Sequence, residues 1–299
     1  MNKTRLLAPA LFAALAALLC CASCRGPESG ADGRIVFVSI PPQQYFVERI
    51  AGHRVQTRVL IAQGQSPHSY TPTPRQIAQL SEADVYMTVG IPFEDSVVKK
   101  IRGQNRTLEI TDMARGIERA ASGEHGHEGH GHEGQHGEMD AHVWLDPRNA
   151  IVMAQNAADT LAEMDPGNKA KYMENRDALI QDLQALHASL SEKLAPFQGR
   201  RFYVYHPAFG YLARAYGLEQ VAVETGGKEP TARALDRLIA QARRDNVRVI
   251  FVQPQFSQKS AQRVAREIGG SVTAADPLAG DYIANMRAMA DAITSGLEQ

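Results

Sequence analysis

Beyond residue 24 the 299-residue sequence contains no cysteine, because Cys20, Cys21 and Cys24 are its only three. That excludes a disulfide framework and a thiolate metal site from the body of the chain, and leaves His, Asp and Glu as the side chains able to hold a metal there. Clustered positive charge is also missing. The formal net charge is -1 and no dense Lys/Arg block occurs in the body, which argues against a nucleic-acid surface and for a small partner. No nucleophile elbow, phosphate loop or dinucleotide fingerprint is found, so no catalytic residue is assigned and the chain reads as a binder rather than an enzyme. Nor is it short of apolar residues: at 44% hydrophobic and 22% charged it can bury one large core or two ordinary ones.

What is present begins with a targeting pattern. Lys3 and Arg5 precede the apolar run LLAPALFAALAALLCCA, which ends at CASC. Cys24, after the small residues Ala22 and Ser23, resembles the lipidation cysteine of a bacterial lipoprotein signal, although Cys21 stands where such signals usually carry Leu. Residues 1–24 are therefore expected to be a signal peptide with a lipidation cysteine, and residues 25–33 a flexible tether. The folded part is expected to be exported, periplasmic or at the cell surface, and anchored to a membrane. An ordinary cleaved signal or an uncleaved anchor helix are the alternatives; a run of roughly 17 apolar residues is near the short limit for crossing a bilayer.

After the tether, apolar runs alternate with helical patterns. RIVFVSI reads as a strand, PQQYFVERIAG as a helix closed by Gly52, RVQTRVLIA as a strand, TPRQIAQLSEA as a helix opened by Thr73 and Pro74, and DVYMTVG as a strand. The order returns from RRFYVYH onward and predicts a second α/β unit with four strands. Between the two, Leu179, Leu183, Leu186, Leu190 and Leu194 recur at helical spacing. The expected architecture is α/β: two lobes with mostly parallel sheets, residues 34–165 and 196–299, joined by a long rigid helix over residues 166–195. One continuous connecting helix is stiffer than a Gly-rich hinge, so large closure motions are not expected.

Four candidate metal ligands sit just beyond apolar runs or at lobe edges: His68 in GQSPHSYTPTP, His142 in DAHVWLDP, His206 in VYHPAFGY and Asp276 in TAADPLAGD. In open α/β sheets the carboxyl ends of the strands line the ligand crevice, so such residues can converge. Three neutral imidazoles and a carboxylate form a set that suits Zn²⁺. Taken singly each has an ordinary reading as a surface or hydrogen-bonding side chain, which His53 and His187 receive outright, and Asp-Pro often only starts a turn. Spacing alone does not join the four.

Four longer stretches do. SPHSYTPTPRQIAQLSEADVYMTVG, the segment from DAHVWLDPRNA to MENRDAL, YHPAFGYLARAYGL, and FVQPQFSQKSAQRVAREIGGSVTAADPL resemble, in order, the signatures of the metal-binding solute-binding proteins of bacterial ABC transporters, the zinc and manganese cluster. The resemblance runs from about Arg34 to the C-terminus. It implies two lobes joined by a rigid helix, one metal in the crevice on His68, His142, His206 and Asp276, and a monomeric, lipid-anchored receptor that offers its cargo to a membrane permease. Manganese-selective members usually carry Glu at the third position; His206 there favours Zn²⁺, with a manganese or broad-metal carrier as the alternative. Some zinc members use three His and a water, which makes Asp276 the least secure ligand. Gln253 stands where an acidic residue is common.

Just before His142 lies GEHGHEGHGHEGQHGE, in which His125, His127, His130, His132 and His136 are separated mostly by Gly and Glu. No fixed geometry is encoded there, so each ligand set costs ordering entropy to assemble and binding should be weak and exchangeable. It reads either as an accessory metal-capturing loop, which zinc members of the family often carry, or as a linker with incidental affinity. His125 to His130 also has the His-x-His-x-x-His spacing of a metallo-hydrolase, but Gly129 stands where such enzymes place Asp, and the motif follows no strand. A metal chaperone or adhesin on the same scaffold is a third reading.

Overall fold

The computed structural model describes residues 33–121, 139–224, 230–256 and 258–298. The targeting segment with Cys24 and the histidines at 125–136 lie outside these residues. Among the described residues no helix is long and apolar enough to cross a membrane.

The N-terminal half runs β1 (Ile35–Val38), α1 (Pro41–Ala51), β2 (Gln56–Val59), α2 (Pro74–Ser81), β3 (Val85–Thr88), α3 (Phe93–Gln104) and β4 (Glu109–Asp112). The strands form one parallel sheet in the order β2-β1-β3-β4. Val36, Phe37 and Val38 of β1 are buried, as expected of a central parallel strand covered on both faces. The local punctuation follows the sequence: α1 stops where Gly52 takes φ 60°, and Thr73 opens α2 by accepting from the Gln76 amide at 3.3 Å. Two elements go beyond the sequence reading, α3 and β4. The EITD of β4 carries a single apolar residue and pairs only with β3, so an edge strand of this kind has almost no hydrophobic signature.

The C-terminal half repeats the plan with β5 (Arg201–Val204), α6 (Gly210–Ala215), β6 (Glu219–Ala222), α7 (Ala232–Arg244), β7 (Val249–Val252), α8 (Lys259–Ile268), β8 (Ser271–Ala274) and α9 (Tyr282–Leu297). Its parallel sheet has the order β6-β5-β7-β8, the same permutation as the first. In both sheets the order reverses beside the first strand, so each opens a crevice at its strand carboxyl ends.

Between the lobes stand α4 (Pro147–Met164) and α5 (Lys169–Leu194). The 26 residues of α5 make a rod of about 39 Å at 1.5 Å per residue. Leu179, Leu183, Leu186, Leu190 and Leu194 are buried along it, and the helix packs on α1 and α4 at one end and on α9 at the other. One core therefore runs through both lobes, from Phe46 through Leu183 to Phe202 and Met286. A second, smaller core, built around Tyr203, Leu235, Ile239, Ile250 and Val264, lies under α7 and α8. Cross-lobe contacts reinforce the first core. The Tyr282 ring meets Phe46 edge-on at 4.9 Å, its hydroxyl donates to the Trp144 carbonyl at 2.6 Å, and the Trp144 indole donates to the Pro277 carbonyl at 2.8 Å.

Candidate metal centre

Each candidate histidine is held by short irregular structure at an element end. His68 lies in the 3-10 turn Pro67–Ser69 after β2, where the Ser66 hydroxyl accepts from its amide at 3.3 Å. His142 precedes the turn Val143–Leu145, whose three residues are buried and anchor it below α4. His206 follows β5 by two residues, and its peptide groups are gripped by the fully buried Gln253: the amide of His206 donates to Gln253 Oε1 at 3.2 Å, and Gln253 Nε2 donates to the His206 carbonyl at 2.7 Å. This supplies the physical account of Gln253 at a position where an acidic residue is common. An ionised carboxylate can only accept, whereas the amide side chain both accepts and donates.

The three rings converge. Their centroids are 4.4 Å (His68 and His206), 5.3 Å (His142 and His206) and 5.7 Å (His68 and His142) apart, and one nitrogen from each lies within 4.8 Å of the others. A tetrahedral zinc with bonds of about 2.0–2.1 Å needs nitrogens roughly 3.3 Å apart, a small contraction. His53 and His187 stay outside this group; His187 pairs instead with the Tyr216 hydroxyl at 3.2 Å.

Two carboxylates that sequence reasoning did not single out set the direction of the rings. Asp140 Oδ1 lies 2.8 Å from His142 Nδ1 and also accepts the His142 amide at 2.9 Å. Glu224, buried just after β6, lies 2.5 Å from His206 Nδ1. A carboxylate on Nδ1 fixes that nitrogen as the donor and turns Nε2, with its lone pair, toward the cavity. His206 Nε2 is buried and has no hydrogen-bond partner. Such an orphaned acceptor, next to two further imidazoles, suits a cation. The available signals were an Asp two residues before His142 and a Glu at a strand carboxyl end, both too common to stand out. Phe256 stacks on the His206 ring at 4.7 Å, and Trp144 lies 5.4 Å from His142, walling the pair with aromatic surface.

Asp276 does not join the three histidines. Its Oδ1 accepts from Gln255 Nε2 at 2.7 Å and from the Leu278 amide at 2.9 Å, while Asn285 holds its carbonyl at 2.7 Å. It thus stands behind Gln255, which together with Phe256, Pro277 and Leu278 lines the cavity in front of the imidazoles. The reason is local: an Asp before Pro-Leu turns its side chain back to cap the chain two residues on.

Burial and repulsion from neighbouring imidazoles disfavour the charged forms of His68 and His206. His68 is lowered to about 3, by desolvation first and then by His206 and His142. Its residue as a whole keeps exposed surface, so the ring is dry only on the side facing its neighbours. His206 is also lowered; desolvation outweighs the opposing pull of Glu224. These two rings are therefore ready for a metal below the ordinary imidazole range. An affinity falling from about pH 6.5, as reference histidines would give, is displaced further into acid.

The sequence matches the family described as ZnuA, zinc-uptake complex component A, periplasmic, over residues 36–296. The chain belongs to that family. It is 31% identical over 284 residues to the zinc-binding lipoprotein AdcA of Streptococcus pneumoniae, covering 93% of this chain and 56% of AdcA, so it spans little more than half the length of that relative. To the high-affinity zinc uptake system protein ZnuA of Bacillus subtilis it is 31% identical over 289 residues, covering 90% of this chain and 88% of the relative. A crystal structure of ZnuA superposes with a TM-score of 0.82 at 38% identity, covering 89% of this chain and 99% of that one. The two α/β lobes on a long helix are thus the family's architecture.

Proposed function

We propose that this member of the zinc-uptake component A family is an extracytoplasmic receptor that captures Zn²⁺ in the crevice between its lobes and delivers it to the membrane permease of an ABC transporter. The observation that carries this reading is the buried, unpartnered Nε2 of His206 facing His68 and His142, with Glu224 and Asp140 behind the rings. Three imidazoles form a borderline-soft donor set that prefers Zn²⁺ to Mn²⁺, for which carboxylate oxygen is the better match. Capture requires no bond making in a substrate: water on the ion is exchanged for His68, His142 and His206, with Asp276 next to the remaining position. The chain acts as a binding protein, not an enzyme, and as a monomer held at the membrane through Cys24.

The histidines at 125, 127, 130, 132 and 136 form a separate, weak and exchangeable accessory set in this reading. The chain on either side of them closes through the Ala121 and Met139 bridge, next to Asp140, so metal gathered by that segment is released close to His142.

The test is competitive metal titration of the protein from Gly26 onward, with and without residues 123–137, reading stoichiometry and the Zn²⁺ to Mn²⁺ affinity ratio. One tight zinc site that survives the deletion, with manganese much weaker, is the expected result. Comparable manganese affinity would make the protein a broad-metal carrier, and loss of tight binding with the deleted segment would move the site out of the crevice. Unchanged zinc uptake under limitation after the deletion would remove the capture role of the segment.

A further inference from the structure

Three imidazoles leave one position of a tetrahedral zinc to be filled. Gln255 lines the cavity and Asp276 stands behind it, and their hydrogen bonds differ. Asp276 Oδ1 is occupied twice, by Gln255 Nε2 at 2.7 Å and by the Leu278 amide at 2.9 Å. Gln255 lines the cavity, and its Oε1 is buried with no hydrogen-bond partner. The orientation of this amide is chemically determined, because turning it over would set its oxygen against the Asp276 carboxylate, two acceptors facing each other with no proton between them. Among the described residues, two side chains that line this cavity therefore carry a buried atom without a partner: His206 Nε2, which needs a cation or a proton donor, and Gln255 Oε1, which needs a donor. A bare metal ion satisfies the first and not the second. A zinc-bound water satisfies both at once, since the ion takes the imidazoles and the water donates a proton to the amide oxygen.

We propose that Gln255 decides the fourth ligand of the bound zinc. Its nitrogen holds Asp276 outside the coordination sphere, and its oxygen accepts a hydrogen bond from the water that occupies the open position. Asp276 then acts on the metal through Gln255, as a charge at a distance, and the site is a three-imidazole, one-water centre. A neutral fourth ligand also exchanges more readily than a carboxylate, which suits a cargo that must be handed on.

This inference rests on the zinc-receptor reading, and the experiment separates the two. The mature chain is prepared as wild type, Gln255→Leu, Asp276→Asn and the double variant. Zn²⁺ affinity is read by competition with a chromophoric chelator, and geometry from the visible bands of the Co²⁺ form. Asn retains the oxygen that receives Gln255, so Asp276→Asn should change zinc affinity by less than about ten-fold and leave the Co²⁺ spectrum as in wild type, by loss of an outer charge only. In the Gln255→Leu background Asp276 is released, the Co²⁺ bands shift, and the same Asp276→Asn change becomes at least ten-fold more costly than in wild type, the coupling expected of groups in contact. A hundred-fold loss with altered Co²⁺ bands in Asp276→Asn alone makes Asp276 a direct ligand and overturns the proposal. So does a Gln255→Leu protein identical to wild type in both measurements. Should Gln255→Leu fail to fold, the Asp276→Asn spectrum and affinity decide alone. A wild type without one stoichiometric tight zinc, or tight binding that persists in His206→Ala, would instead defeat the receptor reading.

Discussion

His206 and His68 meet at 4.4 Å from opposite lobes, yet they are held in very different ways. His206 lies two residues after β5, is buried, has both peptide groups clamped by Gln253, its Nδ1 against Glu224 and its face against Phe256. His68 comes nine residues after the edge strand β2, on an exposed 3-10 turn whose local support is the Ser66 hydroxyl. A ligand whose orientation is over-determined loses little freedom when metal binds, whereas one on an exposed turn must be ordered by the metal itself. The C-terminal lobe therefore presents a preformed half-site, and the N-terminal lobe brings a ligand that solvent can still reach.

The sharpest way to break that contrast is to remove each ring. If a structural zinc gains roughly 10–16 kcal/mol from four ligands, one ligand is worth about a quarter of it, so His206→Ala should weaken zinc by ~10²–10³-fold. His68→Ala should cost less, because water can enter at the exposed end. Competitive titration that finds equal losses would mean the two rings are equally organised.

Acid gives the next largest effect, and its sign follows from the depressed rings. Folded His68 is lowered to about 3 and His206 is lowered too, while the unfolded chain titrates near 6.5. Between those values the unfolded chain binds more protons, so the apoprotein loses stability as pH falls below about 6.5. Folded His68 and His206 meanwhile resist protonation, so zinc affinity at pH 5.5 should fall by less than the roughly thousand-fold that three reference imidazoles would give. Chelator competition and thermal unfolding across pH 7 to 5 check both. A full thousand-fold fall would show that the rings are as wet as free histidine.

Glu224→Gln should cost ~10–100-fold in zinc affinity by loosening the His206 tautomer and ring. Asp140→Asn should have a similar but smaller effect, since Asp140 also keeps its bond from the His142 amide at 2.9 Å. Isothermal titration of both variants tests the ranking, and a larger loss for Asp140 would reverse it. The smallest change in affinity is expected for Gln253→Leu, which leaves the His206 ring and Glu224 in place but strips two hydrogen bonds from a buried peptide. Thermal unfolding should show it instead as ~1–3 kcal/mol of lost apoprotein stability.

Much of this was legible in the sequence because it depends on local pattern. The Leu179 to Leu194 stripe marks a helix wherever it packs, Gly52 and Thr73 close and open their helices by backbone and side-chain chemistry of their own, and His68, His142 and His206 stand at element ends where a crevice forms. β4 escaped because an edge strand with one apolar residue carries no periodic signal, and Glu224 because a carboxylate at a strand end is ordinary until an imidazole from another strand is found 2.5 Å away. Asp276 was placed with the ligands on its motif. Its hydrogen bonds with Gln255 and the Leu278 amide are ones that spacing along the chain does not announce.

The sequence by itself thus determined most of the element types, the two-fold repetition of the α/β plan, the long connecting helix and the chemical kinds of donor left to hold a metal. With no cysteine after residue 24, nitrogen and oxygen were the donors that remained. The tertiary structure decided which donors share a centre, which nitrogen of His142 and His206 faces it, and that His68 and His206 resist protonation. Those properties depend on distances between groups far apart in the chain and on the exclusion of water between them, and both exist only once the lobes are closed around α5.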